Sequence, residues 1–204
     1  MDMVPAMALA LDASFGSVER WRADFVSLAN EPGHTGGVML AFSEAAARLV
    51  NRTESDTATL RPGFTPLLRL EDEATIDAFL ANVDWADVYA RYQHAIEQAS
   101  EGCGVGHEDL ADALVLDVRR KAMFERAATR LPRADWRDPA RVAAWSSEIP
   151  AGRPVVVYCI YGHEVGRATA LRLRAAGVDA RFLQGGIDGW QSAGRALETK
   201  EVTS

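Results

Sequence analysis

The chain has 204 residues, 48% of them hydrophobic and 25% charged, with a formal net charge of −7. That length supports one large domain or two small ones, and the composition is that of an ordinary soluble globular protein. The acidic balance disfavours a protein that tracks nucleic-acid phosphates, no apolar run approaches the roughly 20 residues of a membrane span, and two cysteines are too few for a disulfide framework or a structural zinc site. The N-terminus carries Asp2 and Asp12 where a signal peptide would be basic. A cytoplasmic protein that engages neither nucleic acid nor membrane is expected.

In chain order, "SVERWRADFVSLAN" predicts an amphipathic helix. Ser17 is its N-cap, Glu19 lies in the dipole-favoured first turn, and Trp21, Phe25 and Leu28 recur at helical spacing. "GGVMLAFSEAAARLVN" fits strand or helix. "TESDTATLRPGFTPLL" reads as a loop followed by an extended piece, because Pro62 and Pro66 oppose a helix. "DEATIDAFLANV" is helical, and Asp84 caps a further helix whose Trp85, Val88, Tyr89, Tyr92 and Ile96 line one face as core. "EQASEGCGVGHEDLAD", rich in Gly and acidic residues, reads as a boundary.

After that boundary come three apolar runs, "ALVLDV", "PVVVYC" and "ARFLQGG". Between the last two, "EVGRATALRLRAAG" predicts a helix with Val165, Ala168, Leu171 and Ala175 on one face and Gly177 as its stop. Apolar strands alternating with helices predict an α/β domain whose mostly parallel central sheet is flanked by helices. Ligands bind such sheets beyond the carboxyl ends of the strands.

The only two cysteines lie in twin C-x-x-G-H-E motifs, "CGVGHE" from Cys103 and "CIYGHE" from Cys159. The second falls between a predicted strand and a predicted helix. A loop there turns backbone N–H groups inward, and the helix N-terminus adds partial positive charge, so an anion on the Cys159 sulfur is stabilised. The first copy lies in the boundary segment and reads as coincidence. A role for Cys103 in resolving an oxidised Cys159 stays open.

Two resemblances follow. "ALDASFGSVERWRADF", "TPLL" and "DAFLANVDWADVYARYQHA", over about residues 8–97, resemble the C-terminal α/β part of iron/manganese superoxide dismutases. That family places a metal-binding Asp, and a His four residues later, after the "PLL"-like strand. Here Glu71 and Thr75 stand there, and His34 and His94 lack ligand-spaced partners. This half is read as a scaffold or interaction domain without a metal, presenting a surface for a protein partner or a second copy.

"LVLDVR", "PVVVYCIYGHEVGRATALRLRAAGVDARFLQGGIDGW" and "SAG", over roughly residues 109–197, resemble a single rhodanese domain. The resemblance implies that Cys159 is the nucleophile. It takes sulfane sulfur from a small-molecule donor such as thiosulfate, becomes a persulfide, and passes the sulfur to a thiol or cyanide-like acceptor without a cofactor. Ile160, Tyr161, Gly162, His163, Glu164 and Val165 would form the substrate cradle, with Tyr161 and His163 at its mouth. The domains are then 1–100, dismutase-like; 101–110, linker; and 111–200, rhodanese-like.

Some residues carry expectations of their own. Arg130 and Arg133, where the family has a "HIPGA"-like turn, are read as solvated, and would draw an anionic donor if they faced the pocket. Glu164 should point outward or pair with an arginine such as Arg167. Asp117 and Arg119 should pin the strand end, with Arg119 a weaker substrate-side candidate. His163 is read as shaping the loop by a hydrogen bond, and His107 as exposed. Three rivals remain: a persulfide carrier or sensing module without turnover that docks a partner through the N-terminal half, a phosphatase or arsenate reductase, and residual superoxide dismutation. The second needs C-x5-R, and the sixth residue after Cys159 is Val165.

Overall fold

The computed structural model describes residues 3–31, 37–53, 63–71, 75–108, 110 and 112–200. The chain divides into two compact units, Met1–Ala95 and Ile96–Ser204.

The first unit contains α1 (Pro5–Phe15), α2 (Val18–Ala29), β1 (Val38–Ser43), β2 (Arg48–Thr53), β3 (Phe64–Leu70), α3 (Ile76–Ala81) and most of α4 (Trp85–Ala99). Ser17 caps α2, its side chain accepting from Arg20 N at 3.1 Å. The ambiguous "VMLAFS" is a strand because it is central. It lies antiparallel between β2 and β3, and all six of its residues are buried. Asp84 accepts from the amides of Ala86 and Asp87 at the start of α4. Trp85, Val88, Tyr92 and Ile96 are all buried, so the α4 stripe is core; Trp85 meets Trp21 edge-on at 5.4 Å.

The second unit contains β4 (Gly104–Val105), β5 (Leu114–Asp117), α5 (Lys121–Arg126), β6 (Thr129–Arg130), β7 (Asp135–Trp136), α6 (Val142–Trp145), β8 (Val155–Tyr158), α7 (Glu164–Ala175), β9 (Ala180–Leu183), α8 (Gly186–Ser192) and β10 (Glu198–Thr199). A five-stranded parallel sheet runs β4-β9-β8-β5-β7, and β6 and β10 form a small antiparallel ribbon. Strand β8 is central and apolar throughout because both of its faces are covered. Val155 and Val157 join a core with Leu173 of α7 and Trp145 of α6, whereas Val156 and Tyr158 join one with Ile187 and Trp190 of α8. Helices α7 and α8 therefore lie on opposite faces of the sheet.

Two expectations change. Residues 101–110, read as a linker, contain the edge strand β4, tied to β9 by Phe182 N–H on Cys103 O (3.1 Å) and Gln184 N–H on Val105 O (3.0 Å). The main buried face of α7 is Gly166, Thr169, Ala170 and Leu173; of the expected face of Val165, Ala168, Leu171 and Ala175, only Ala168 is buried. A helix meeting a sheet closely presents its small residues, and apolar periodicity alone pointed to nearly the opposite side of the cylinder. Gly177 follows the Ala176 cap with φ +84° and stops the helix.

Candidate active site

The loop from Cys159 to His163 joins the carboxyl end of β8 to α7. Cys159 is buried, at 6% exposure. Its carbonyl accepts from Ile187 N–H, and the Ile160 carbonyl accepts from Asp188 N–H, both at 3.0 Å and both from the first turn of α8. The peptide bonds of this loop are trans, so each N–H points away from the carbonyl of its own peptide unit. The amides of Ile160 and Tyr161 therefore turn from α8 toward the α7 side. The sulfur lies on that side too, because a Cβ built on Gly166 of α7 would sit 3.3 Å from Cys159 Sγ. The first turn of this 12-residue helix stands directly over the sulfur, with the positive end of its dipole.

Glycines make that approach possible. Gly162 has φ +68°, and a Cβ there would lie 2.6 Å from Leu183 O and 2.8 Å from Gly185 N. At Gly186 a Cβ would lie 2.5 Å from the carbonyl oxygens of both Cys159 and Ile160. Gly166→Val is expected to slow alkylation of Cys159 by iodoacetamide about tenfold or more, since branched carbons would fill the space beside Sγ. Far-UV circular dichroism should be unchanged.

The other loop side chains divide by exposure. Tyr161 is 56% exposed and His163 is exposed, their rings 5.9 Å apart. His163 makes no capping hydrogen bond at the start of α7, so the loop-shaping bond expected of it gives way to this ring contact. Ile160 and Val165 are half-buried. Glu164 is largely buried and, as expected, pairs with an arginine, Arg120 at 2.9 Å. Arg120 follows β5 and lies 44 residues away in sequence, a partner that no local pattern reveals.

Beneath the loop, Tyr158 belongs to a buried polar network. Its hydroxyl donates to Asp117 Oδ2 at 2.8 Å and accepts from Leu131 N–H at 3.1 Å. Arg119 binds the same carboxylate through Nε, at 2.9 Å to Oδ1, and through Nη2, at 2.5 Å to Oδ2, and also donates to Thr129 O. Burial, reinforced by the charge of Asp117, pushes the Tyr158 phenol well above its ordinary pKa, so it stays protonated and donates. Burial opposes the charge on Arg119, but Asp117 outweighs it and the net direction is upward. Arg119 is 5% exposed, and its Nε and Nη2 are bound within this network, so it pins the strand end.

Other candidates lie elsewhere. Arg133 lines a cavity of about 260 Å³ with His107, Trp190 and Arg195, among others, and no residue of the Cys159 loop lines it. Arg130 Nε approaches Glu198 at 3.7 Å. His107 is half-buried against Trp190, ring centroids 5.6 Å apart, and not exposed as its sequence context suggested. Cys103 packs at the edge of the core that contains Phe182. Gly104 and Val157 both pair with Phe182, so Cys103 and Cys159 are two strands apart and three residues out of level. Those offsets are each about 10 Å. Disulfide formation needs Cα atoms within about 7 Å, so Cys103 is not placed to resolve Cys159.

Among the described residues, the first unit brings no set of ligands together for an iron or manganese ion. Glu71, Thr75 and His94 are exposed, and His34 lies outside the described residues. Among the described residues no three His, Cys, Asp or Glu side chains are grouped to hold a metal.

Comparison with known proteins matches each half separately. The family model described as "Rhodanese-like domain" matches residues 106–193. The N-terminal half matches curated superoxide dismutases. The iron enzyme of Cupriavidus metallidurans is 34% identical over 105 residues, covering 45% of this chain and 53% of that protein. The manganese enzyme of Mycolicibacterium paratuberculosis is 29% identical over 107 residues, covering 46% and 52%. The chain thus spans about half the length of the curated relatives it matches. A full-length protein from Lactobacillus plantarum of known structure is 23% identical and has a TM-score of 0.46, covering 52% of this chain and 94% of that one.

Proposed function

The chain carries a rhodanese-like domain at residues 106–193, and from that we propose that it is a sulfurtransferase working through a persulfide on Cys159. The supporting observation is the placement of Sγ against Gly166, under the first turn of α7 and on the side to which the Ile160 and Tyr161 amides turn. The Cys159 thiolate attacks the outer sulfur of thiosulfate. The sulfur–sulfur bond breaks, its electron pair leaves with sulfite, and a Cys159 persulfide anion remains in the field of the loop amides. A thiol or cyanide acceptor then attacks the outer sulfur and regenerates the thiolate. No proton has to be taken from the attacking thiolate, so no general base need stand beside it. Tyr161 and His163 are the exposed side chains that would meet donor and acceptor.

Cys159→Ser is expected to abolish thiosulfate:cyanide sulfurtransferase activity. Full activity in that variant would end the proposal. A phosphatase reading has less support. Position 165 is valine, and the nearest downstream arginine on α7, Arg167, is bound to Gly162 O and Ser100 Oγ. The N-terminal half is read as a scaffold that docks a protein partner or a second copy, and the site of action as the cytoplasm; among the described residues no helix is long and apolar enough to cross a membrane.

A further inference from the structure

Arg167 reaches back from α7 to the loop. Its Nε donates to Gly162 O at 3.2 Å, and its Nη1 donates to Ser100 Oγ at 3.0 Å. The guanidinium lies over the Phe182 ring, 4.5 Å from the centroid. Ser100 follows α4 and is 1% exposed, and its hydroxyl donates to Glu97 O at 3.1 Å while it accepts from Arg167. The hydroxyl is thus fixed as the acceptor for one specific donor. Ser100 also lies before residue 106, where the rhodanese-like match begins.

The carbonyl that Arg167 holds belongs to the peptide unit leading into α7. That unit is planar and trans, so fixing its oxygen fixes the opposing His163 N–H as well. At the other end of the loop, α8 holds the Cys159 and Ile160 carbonyls. The loop is therefore anchored from both ends.

We infer that Arg167, itself clamped by Ser100, is a positioning residue that closes the Cys159 cradle, and that a segment outside the rhodanese-like match thereby helps to hold the catalytic loop. The inference rests on the sulfurtransferase reading, and it brings in Ser100, which lies outside both the loop motif and the domain match.

The test uses the full chain with Arg167→Met, Ser100→Ala and the double substitution. Two quantities are read: amide hydrogen exchange of residues 160–163, and kcat and KM for thiosulfate with cyanide as acceptor. Arg167→Met should speed exchange in the loop about tenfold, the worth of a hydrogen bond to a charged group, with the rest of the domain unchanged. It should also lower kcat about tenfold through misplacement of the cradle, with little change in KM. Ser100→Ala should act in the same direction, and the double variant should be no worse than Arg167→Met alone. Unchanged loop exchange, additive effects, or faster exchange throughout the domain would each overturn the inference. Should Arg167→Met not fold, Ser100→Ala, which removes one hydroxyl, decides by the same exchange criterion. Absence of sulfur transfer in the wild type would remove the sulfurtransferase reading, while loop exchange would still decide the clamp.

Discussion

Gly186→Ala is expected to cost the protein about 2–5 kcal/mol and to lower sulfur transfer about a hundredfold. The backbone there has φ +58°, where an L side chain is strained by roughly 1–2 kcal/mol. The new methyl would also lie 2.5 Å from two carbonyl oxygens, those of Cys159 and Ile160, neither of which can swing aside as a flexible side chain would. Overpacking of this kind costs about 1–3 kcal/mol, because backbone must move. The atoms that move are those holding the loop to α8. Pushing them outward turns the Ile160 and Tyr161 amides away from the sulfur, and a displacement near 1 Å is enough for a loss of about a hundredfold. Thermal unfolding and steady-state rates check the two parts separately. Gly194→Ala is the control, since it also has positive φ but has nothing within 4 Å of the added carbon; it should lose some stability and keep its activity.

Asp117→Ala is expected to destabilise the second unit by about 3–5 kcal/mol. It leaves the Arg119 guanidinium at 5% exposure without its carboxylate and deprives the Tyr158 hydroxyl of its acceptor. That is a large share of the roughly 5–15 kcal/mol that holds a typical domain together. Tyr158→Phe keeps the ion pair and loses only the hydroxyl that receives Leu131 N–H, so it should cost about 1–3 kcal/mol. Chemical denaturation of the wild type and both variants gives the order. A Tyr158→Phe cost equal to that of Asp117→Ala would contradict this account of the network.

What the sequence revealed of the site follows from how local each cause is. The strand–loop–helix around Cys159 was legible because a β-branched run, a Gly-containing turn and a helix ended by Gly177 are neighbours in the chain. The face of α7 was misread because contact with the sheet is made through Gly166 and Ala170, whose smallness matters only once β8 is in place. Helix α1 escaped notice because "PAMALALDASF" is too uniformly apolar in its first part to show a face, although Met7, Ala10 and Leu11 are its buried residues. Strand β4 is two residues long, too short for any period, and exists because β9 offers it an edge. The Glu164–Arg120 pair and the Ser100–Arg167 contact join residues 44 and 67 positions apart, so only the folded chain brings them together. The twin C-x-x-G-H-E motifs make the same point. Cys159 ends a central strand beneath a helix, whereas Cys103 precedes an edge strand, so identical letters receive different surroundings.

The most direct test of the persulfide is the intact mass of the protein after brief incubation with thiosulfate, for the wild type and for Cys159→Ser. The account predicts that the wild type gains the mass of one sulfur atom, that cyanide removes it, and that the variant gains nothing. A wild type that stays unmodified while Cys159 still reacts with iodoacetamide would contradict it.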